Sequence, residues 1–273
     1  MSPTDETLRS ATTRWLEFRK KNLRENTFNK YKSDSLLVLD VLGDYGVKEL
    51  MKNPKPLLDY LISLNVTKAT INHRLVSVKG TYDMLAIETI TKKRKKRLRY
   101  PLYGVNITKF LGTKKTTYEV APFSLKEIDK LLLKAGDMRN YYEVAFWTGL
   151  RTSELHGLKW EDIGSDEILI RRRLIDGKED DPKTESSKRS VQITINGLPT
   201  RAKLALKRQK LLTSFNDYVF VNPINEEPLT TDFTGKNFKM LCRLAEVPFR
   251  NQYQIRHSYA SNLLLDGANR EWL

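Results

Sequence analysis

Three basic residues, far apart along the chain, are the strongest candidates for chemistry in this sequence. Arg151 lies at the end of a short turn that contains Gly149, and Arg256 lies beside His257 far downstream. Lys183 lies between them in a stretch typical of a β-hairpin. A guanidinium offers a fork of N–H donors that matches two phosphate oxygens, and a lysine on a hairpin can serve as a general acid. In a chain of net charge +15, this combination predicts a site for a phosphodiester.

The turn before Arg151 is the best-supported part of that site. Gly149 permits a backbone conformation that other residues resist, and Leu150 is expected to anchor the turn in the core. Arg151 then projects from the start of a helix, where backbone N–H groups favour an anion. The alternative is a structural arginine paired with Glu154. We expect Glu154 to orient an arginine rather than to contact phosphate.

Three motifs together resemble the tyrosine recombinase (phage integrase) family. They are Thr148-Gly149-Leu150-Arg151-Thr152-Ser153-Glu154-Leu155, Pro182-Lys183-Thr184 followed by Lys188-Arg189 before an alternating strand, and Tyr253-Gln254-Ile255-Arg256-His257. The resemblance implies that Arg151 and Arg256 hold the scissile phosphate, that Glu154 supports them, and that Lys183 protonates the leaving 5′ oxygen. It also implies a 3′-phosphotyrosyl intermediate, site-specific DNA recombination, and no metal or nucleotide cofactor.

The sequence departs from the family pattern at two places. Tyr253 occupies a position where the family usually has histidine, and a tyrosine hydroxyl can donate a hydrogen bond but is a poor base near neutral pH. The neighbouring His257 is interpreted as a buried structural residue more readily than as a catalyst. The family's last motif, Gly-His followed by the nucleophilic tyrosine, has no match before Leu273. We therefore expect this chain to bind DNA without cleaving it and the parent protein to be the enzyme.

Charge is concentrated in the first part of the chain. Residues 1–115 carry a net charge of +13 and residues 116–273 only +2. This asymmetry predicts a polyanionic partner for the first part, and the resemblance specifies double-stranded DNA, with a tetramer forming on DNA in the full-length protein. The residues expected to contact DNA are Lys92, Lys93, Arg94, Lys95, Lys96, Arg97, His73, Arg74, Lys79, Lys188 and Arg189. For Lys188 and Arg189, a solvated position is an equal alternative.

Hydrophobic periodicity predicts a mainly α fold with a small β-sheet (α+β). The pattern places a helical domain over 1–91, a basic linker over 92–117 and a second domain over 118–273. The resemblance implies that the first is a SAM-like core DNA-binding domain and the second a catalytic domain that lacks its C-terminal end. The first domain is predicted as a bundle of about four helices: 7–24, 26–43, one opened by Pro54 and Pro56, and 67–87. Phe18 and Leu36 are placed on its buried faces.

In the second domain, Ser124 and Glu127 form a capping box, and Ser153 is expected to cap a helix that runs to Trp160. Strands are predicted at Ile168–Ile170 and at 190–195, joined by the polar run 176–187, and a last helix begins at Ser258.

Other function classes are less well supported. The single cysteine, Cys242, falls in an apolar helical pattern and is interpreted as core, and the three histidines show no metal-ligand spacing. No apolar run reaches membrane-spanning length, so we expect no membrane partner, and a single cysteine fits a reducing cytoplasm. The resemblance implies a bacterial or phage-encoded, nucleoid-associated protein. Two alternatives stay open: a non-catalytic DNA-binding accessory or regulatory protein derived from an integrase, and an RNA-binding or structural basic protein.

Overall fold

The computed structural model describes residues 5–91, 99–107, 119–175, 177–180 and 189–265. The chain divides into two compact units, Met1–Tyr118 and Glu119–Leu273. Within the described residues, no helix is both long enough and apolar enough to cross a membrane. Both units are mainly helical, and the second adds short antiparallel strands. The predicted mainly α fold with a small β content is confirmed.

Five described helices form the first unit. They are α1 (Leu8–Lys20), α2 (Glu25–Leu42), α3 (Val47–Lys52), α4 (Lys55–Ser63) and α5 (Lys68–Thr91). Thr7 caps α1 by accepting a hydrogen bond from the Ser10 N–H, and the Leu8 N–H bonds to the Tyr45 carbonyl after α2. Leucines from all five helices meet in one apolar core, with Leu8, Leu42, Leu50 and Leu75 fully covered.

Two details of the first unit differ from the predicted bundle. The helix predicted to open at Pro54 is present as α4, but it is preceded by a short helix, α3, that was not predicted; the extended Asn53 separates the two. Phe18 and Leu36 are exposed, although each continues the apolar spacing of its helix. The apolar stripe is wider than the face that the other helices cover, so the spacing alone overestimates what is buried.

The second unit contains six helices and six strands among its described residues. The helices are α6 (Leu125–Lys134), α7 (Arg139–Thr148), α8 (Thr152–His156), α9 (Arg201–Thr213), α10 (Thr231–Leu244) and α11 (Tyr253–Leu265), with single 3₁₀ turns at Gly136–Met138 and Trp160–Asp162. The predicted capping box is present: Ser124 Oγ accepts from the Glu127 N–H, and Glu127 accepts from the Ser124 N–H.

The strands pair as three two-stranded antiparallel ladders rather than one sheet. β1 (Glu167–Ile170) pairs with β4 (Arg189–Gln192), β2 (Arg173–Ile175) with β3 (Lys178–Asp180), and β5 (Thr194–Ile195) with β6 (Leu198–Pro199). The strand predicted over 190–195 is therefore two strands that separate at the buried Ile193. The predicted polar run from 176 also contains a strand, β3, because Gly177 turns the chain back on β2 with a φ of +76°.

Helix α7 is the central element of the second unit. Most of its side chains are buried, including Tyr142, whose hydroxyl donates to Asn237. Its Glu143 is also buried and accepts hydrogen bonds from Arg201 and Arg208 of α9. A buried carboxylate needs such cationic donors to offset its lost hydration. Cys242 lies in the same core, as predicted.

A pH-dependent contribution to stability follows from His156. This side chain is buried beside the Tyr141 and Thr234 hydroxyls, and burial lowers its pKa from 6.5 to about 4. The unfolded chain takes up the proton first, so stability falls as pH drops from the unfolded pKa towards the folded one. We expect a loss of about 2 kcal/mol between pH 7 and pH 5.

Urea unfolding of the wild type and of His156→Gln at each pH measures this contribution. The carboxyl groups common to both proteins cancel in the difference between their unfolding free energies. That difference should shrink by about 2 kcal/mol from pH 7 to pH 5. A constant difference would show that His156 is protonated as easily in the folded protein as in the unfolded one.

Candidate active site

Arg151 stands at the sharp turn between α7 and α8. Gly149 ends α7 in the left-handed conformation, with a φ of +60°, and its N–H bonds to the Ala145 carbonyl. Leu150 is buried and anchors the turn, as predicted. Arg151 is the N-cap residue of α8, so the predicted cap at Ser153 is wrong by two positions. The Arg151 side chain keeps 47% of its surface exposed and can therefore reach a ligand.

Glu154 binds two arginines at once. Its side chain is only 6% exposed; Oε1 accepts from Arg151 Nη1 at 2.7 Å and from Arg189 Nη1 at 3.1 Å. Its Oε2 accepts from the Arg151 backbone N–H and from Arg189 Nη2, both at 2.9 Å. Burial alone would raise the pKa of Glu154, but the hydrogen bonds from Arg189 and Arg151 lower it below its usual value. The ionised carboxylate therefore orients arginines.

Arg256 joins this cluster from helix α11. Its Nη1 donates to the Gly149 carbonyl oxygen at 2.5 Å, which ties it to the turn that presents Arg151. Burial, followed by the positive charges of Arg151 and Arg189, lowers the pKa of Arg256 below its usual value. Three guanidinium groups thus lie near one carboxylate, which leaves a net charge of about +2 in a partly buried place. An anion with several oxygens suits such a site.

Helix α11 is held in place by buried polar contacts that the sequence pattern did not predict. Gln254 accepts from the Ala121 N–H at 3.1 Å and donates to the Glu119 carbonyl at 3.0 Å. Ser258 Oγ accepts from the Phe123 N–H at 2.7 Å. The helix begins at Tyr253 and not at Ser258 as predicted, so both residues lie on one helical face. The sequence did carry a signal for the earlier start: Gln254 and Ser258 are polar, four positions apart and next to the apolar, buried Ile255.

Tyr253 and His257 lie together at the start of α11. Their ring centroids are 5.0 Å apart and the planes nearly perpendicular. Tyr253 is 53% exposed in the first turn of the helix, whereas His257 is half-buried. Tyr253 is therefore the more accessible of the two to a ligand at Arg256. Its role at the family's histidine position stays a prediction.

None of the other residues predicted for the site or for DNA contacts belongs to the described cluster around Glu154. Lys183, Lys188 and the linker residues 92–97 lie outside the described residues. In the first unit, His73 is exposed, and Lys79 lies over the Tyr100 ring with Nζ 5.4 Å from its centroid. Arg74 is largely buried and pairs with the buried Asp34 at 2.6 Å, which gives it a structural contact. The DNA contacts predicted for these residues stay predictions.

No cluster suited to a metal ion occurs among the described residues: none brings three or more His, Cys, Asp or Glu side chains together. The chemistry that the described cluster offers is the binding of an anion and the stabilisation of extra charge on it.

Two curated relatives match much of this sequence. A XerC-like tyrosine recombinase from Caldanaerobacter subterraneus subsp. tengcongensis is 32% identical over 175 residues, which cover 55% of this chain and 44% of the relative. The ICEBs1 integrase of Bacillus subtilis is 24% identical over 262 residues, covering 88% of this chain and 67% of that protein. The chain thus spans less than half of the length of the first relative.

Solved structures share the fold at lower identity. The Tn1549 transposon integrase, solved in complex with circular intermediate DNA, has a TM-score of 0.75 and 19% identity, covering 98% of this chain and 89% of that one. A lambda integrase dimer bound to a COC′ core site has a TM-score of 0.70 and 15% identity, covering 97% and 72%. The model of the phage integrase family matches residues 123–273, more than half of the sequence, and the chain therefore belongs to the tyrosine recombinase (phage integrase) family.

Proposed function

We propose that this chain is the DNA-binding and phosphate-activating part of a tyrosine recombinase that carries out site-specific recombination of a mobile element or phage. The observation that carries the proposal is the cluster of Arg151, Arg256 and Arg189 around the buried Glu154. The Tn1549 and lambda relatives were solved on DNA, and another lambda structure is a tetramer on a Holliday junction. We propose by analogy that this chain binds DNA and that the full-length protein forms a tetramer on it.

The proposed reaction exchanges one phosphodiester for another. A tyrosine oxygen attacks the scissile phosphorus, the bond to the 5′ oxygen breaks, and a 3′-phosphotyrosyl bond and a free 5′-hydroxyl result. Arg151 and Arg256 bind the non-bridging oxygens and stabilise the charge that builds on them. Lys183 protonates the leaving 5′ oxygen, and the reverse reaction on another strand completes the transfer. We assign none of the tyrosines of this sequence as the nucleophile, so the chain alone should bind DNA without cleaving it.

The test is covalent trapping on nicked suicide duplexes that carry the element's own attachment site. The 273-residue chain is compared with the product of the complete reading frame. A covalent adduct formed by the longer protein alone supports the proposal. Tight duplex binding without an adduct in either protein would favour the accessory DNA-binding protein instead.

The linker provides a prediction about binding. Replacing Lys92, Lys93, Lys95 and Lys96 with glutamine should lower the slope of log affinity against log salt by up to about 3.6, because each phosphate contact contributes about 0.9. Affinity for the duplex is then measured by fluorescence anisotropy over a salt series. The control replaces the same four lysines with arginine, which keeps the charge and should leave the slope unchanged.

An unchanged slope in the glutamine variant would remove the linker from the DNA contacts. The same titration with double-stranded RNA of equal length separates a DNA-binding protein from the RNA-binding alternative. We expect weaker binding to RNA, because an A-form groove presents its phosphates differently.

A further inference from the structure

Arg189 is held at the cluster by a strand rather than by a loop. It is the first residue of β4, and its backbone pairs with the buried Ile170 of β1. From there its guanidinium meets the Glu154 carboxylate with two parallel contacts, Nη1 to Oε1 at 3.1 Å and Nη2 to Oε2 at 2.9 Å. This is the fork-to-fork geometry that fixes both partners in orientation. The ladder therefore positions Arg189, and Arg189 positions the carboxylate.

Sharing of the carboxylate changes the charge available to a ligand. If Glu154 paired with Arg151 alone, the two would form a neutral unit and the attraction of Arg151 for a phosphate would be largely cancelled. Arg189 contributes a second positive charge to the same carboxylate. The group of three then carries about one net positive charge, while both oxygens of Glu154 still hold Arg151 in place.

We propose that Arg189 is a positioning residue, which shares the Glu154 carboxylate so that Arg151 is oriented without being neutralised and stays available to the scissile phosphate. The inference rests on the proposed function. The lowered pKa of Arg256, caused by burial and then by the charges of Arg151 and Arg189, agrees with a cluster that holds more positive charge than Glu154 balances.

The alternative is that Arg189 contacts phosphate directly. The two roles differ in their dependence on Glu154. If Arg189 acts by sharing the carboxylate, removing the charge of Glu154 should repair part of the damage caused by losing Arg189. If Arg189 binds phosphate itself, removing Glu154 leaves that lost contact unrepaired.

The experiment uses the protein from the complete reading frame in single-turnover cleavage of a suicide duplex. We expect Arg189→Met to lower the cleavage rate about 30-fold at unchanged duplex affinity, in line with the loss of part of one electrostatic contact. Adding Glu154→Gln to that variant should raise the rate again by about tenfold. The control is Arg173→Met, which removes an arginine from the first position of β2 that pairs with Asp180 and not with Glu154. It should leave the rate within about twofold of the wild type.

A second readout does not depend on cleavage. The affinity of the 273-residue chain for inorganic phosphate is followed through the NMR signals of its arginine Nε–H groups. The expected order of affinity is wild type, then the double variant, then Arg189→Met, with about tenfold between the extremes. The inference is overturned if the double variant cleaves and binds no better than Arg189→Met, or if Arg189→Met binds phosphate as the wild type does. If the phosphate affinities follow the expected order but no covalent adduct forms with DNA, the proposed function is overturned and the inference about Arg189 is not.

Discussion

In the protein from the complete reading frame, replacing Arg151 with glutamine should lower the single-turnover rate of the proposed DNA cleavage by about 10³-fold and leave duplex affinity nearly unchanged. Arg151 is half-exposed, directed by Glu154, and sits at the N-terminus of α8. A preset donor of this kind stabilises charge that develops in the transition state more than it stabilises the bound duplex. Affinity comes mainly from the many phosphate contacts elsewhere, so one arginine contributes little to it.

Arg171→Gln is the matched control for this substitution. The Arg171 side chain is 52% exposed and lies 3.7 Å from the buried Asp162, so it resembles Arg151 in exposure and in its acidic partner. We expect its cleavage rate to stay within about twofold of the wild type. Arg151→Lys separates charge from geometry: a lysine keeps the charge but loses the fork, and should retain less than about a tenth of the activity. Equal losses in Arg151→Gln and Arg171→Gln would contradict the assignment of Arg151.

The sequence was most informative where one residue type was required by the backbone. Gly149 before a buried Leu150 predicted a turn, and the structure has one, with Arg151 at the start of α8. Glu154 contacts Arg151 and Arg189, and its supporting role at a phosphate stays a prediction. Its second partner, Arg189, was placed among the DNA contacts, because the pairing depends on the register of β1 and β4. Such a register cannot be read from either strand alone.

The start of α11 was missed for a related reason. Sequence patterns placed the helix start at Ser258, whereas Ser258 and Gln254 lie within the helix and bind backbone groups of the segment 119–123. A polar residue that bonds a distant backbone group has the same local signature as one that caps a helix. Phe18 shows the converse, since an apolar side chain with helical spacing stays exposed when none of the described elements of its own unit covers it.

Gly149→Ala should destabilise the second unit through backbone strain and a steric clash together. A Cβ on Gly149 would lie 2.3 Å from Cδ1 of Tyr259, and its φ of +60° is strained for alanine. We expect a loss of about 2–4 kcal/mol in unfolding free energy, from strain together with overpacking. Tyr259 and Arg256 both belong to α11, so the displaced ring should also shift Arg256 from the Gly149 carbonyl. A shift of about 1 Å should lower the cleavage rate about 10²-fold.

Gly136→Ala isolates the strain from the clash. Gly136 also has a positive φ, +51°, but a Cβ there would meet nothing within 4 Å. Its substitution should therefore lower the unfolding free energy by only about 1 kcal/mol and leave cleavage unchanged. Urea unfolding gives the first quantity and suicide-substrate cleavage the second. If the two alanine variants were equally stable and equally active, the packing of Tyr259 against Gly149 would not be what holds Arg256 to the turn that presents Arg151.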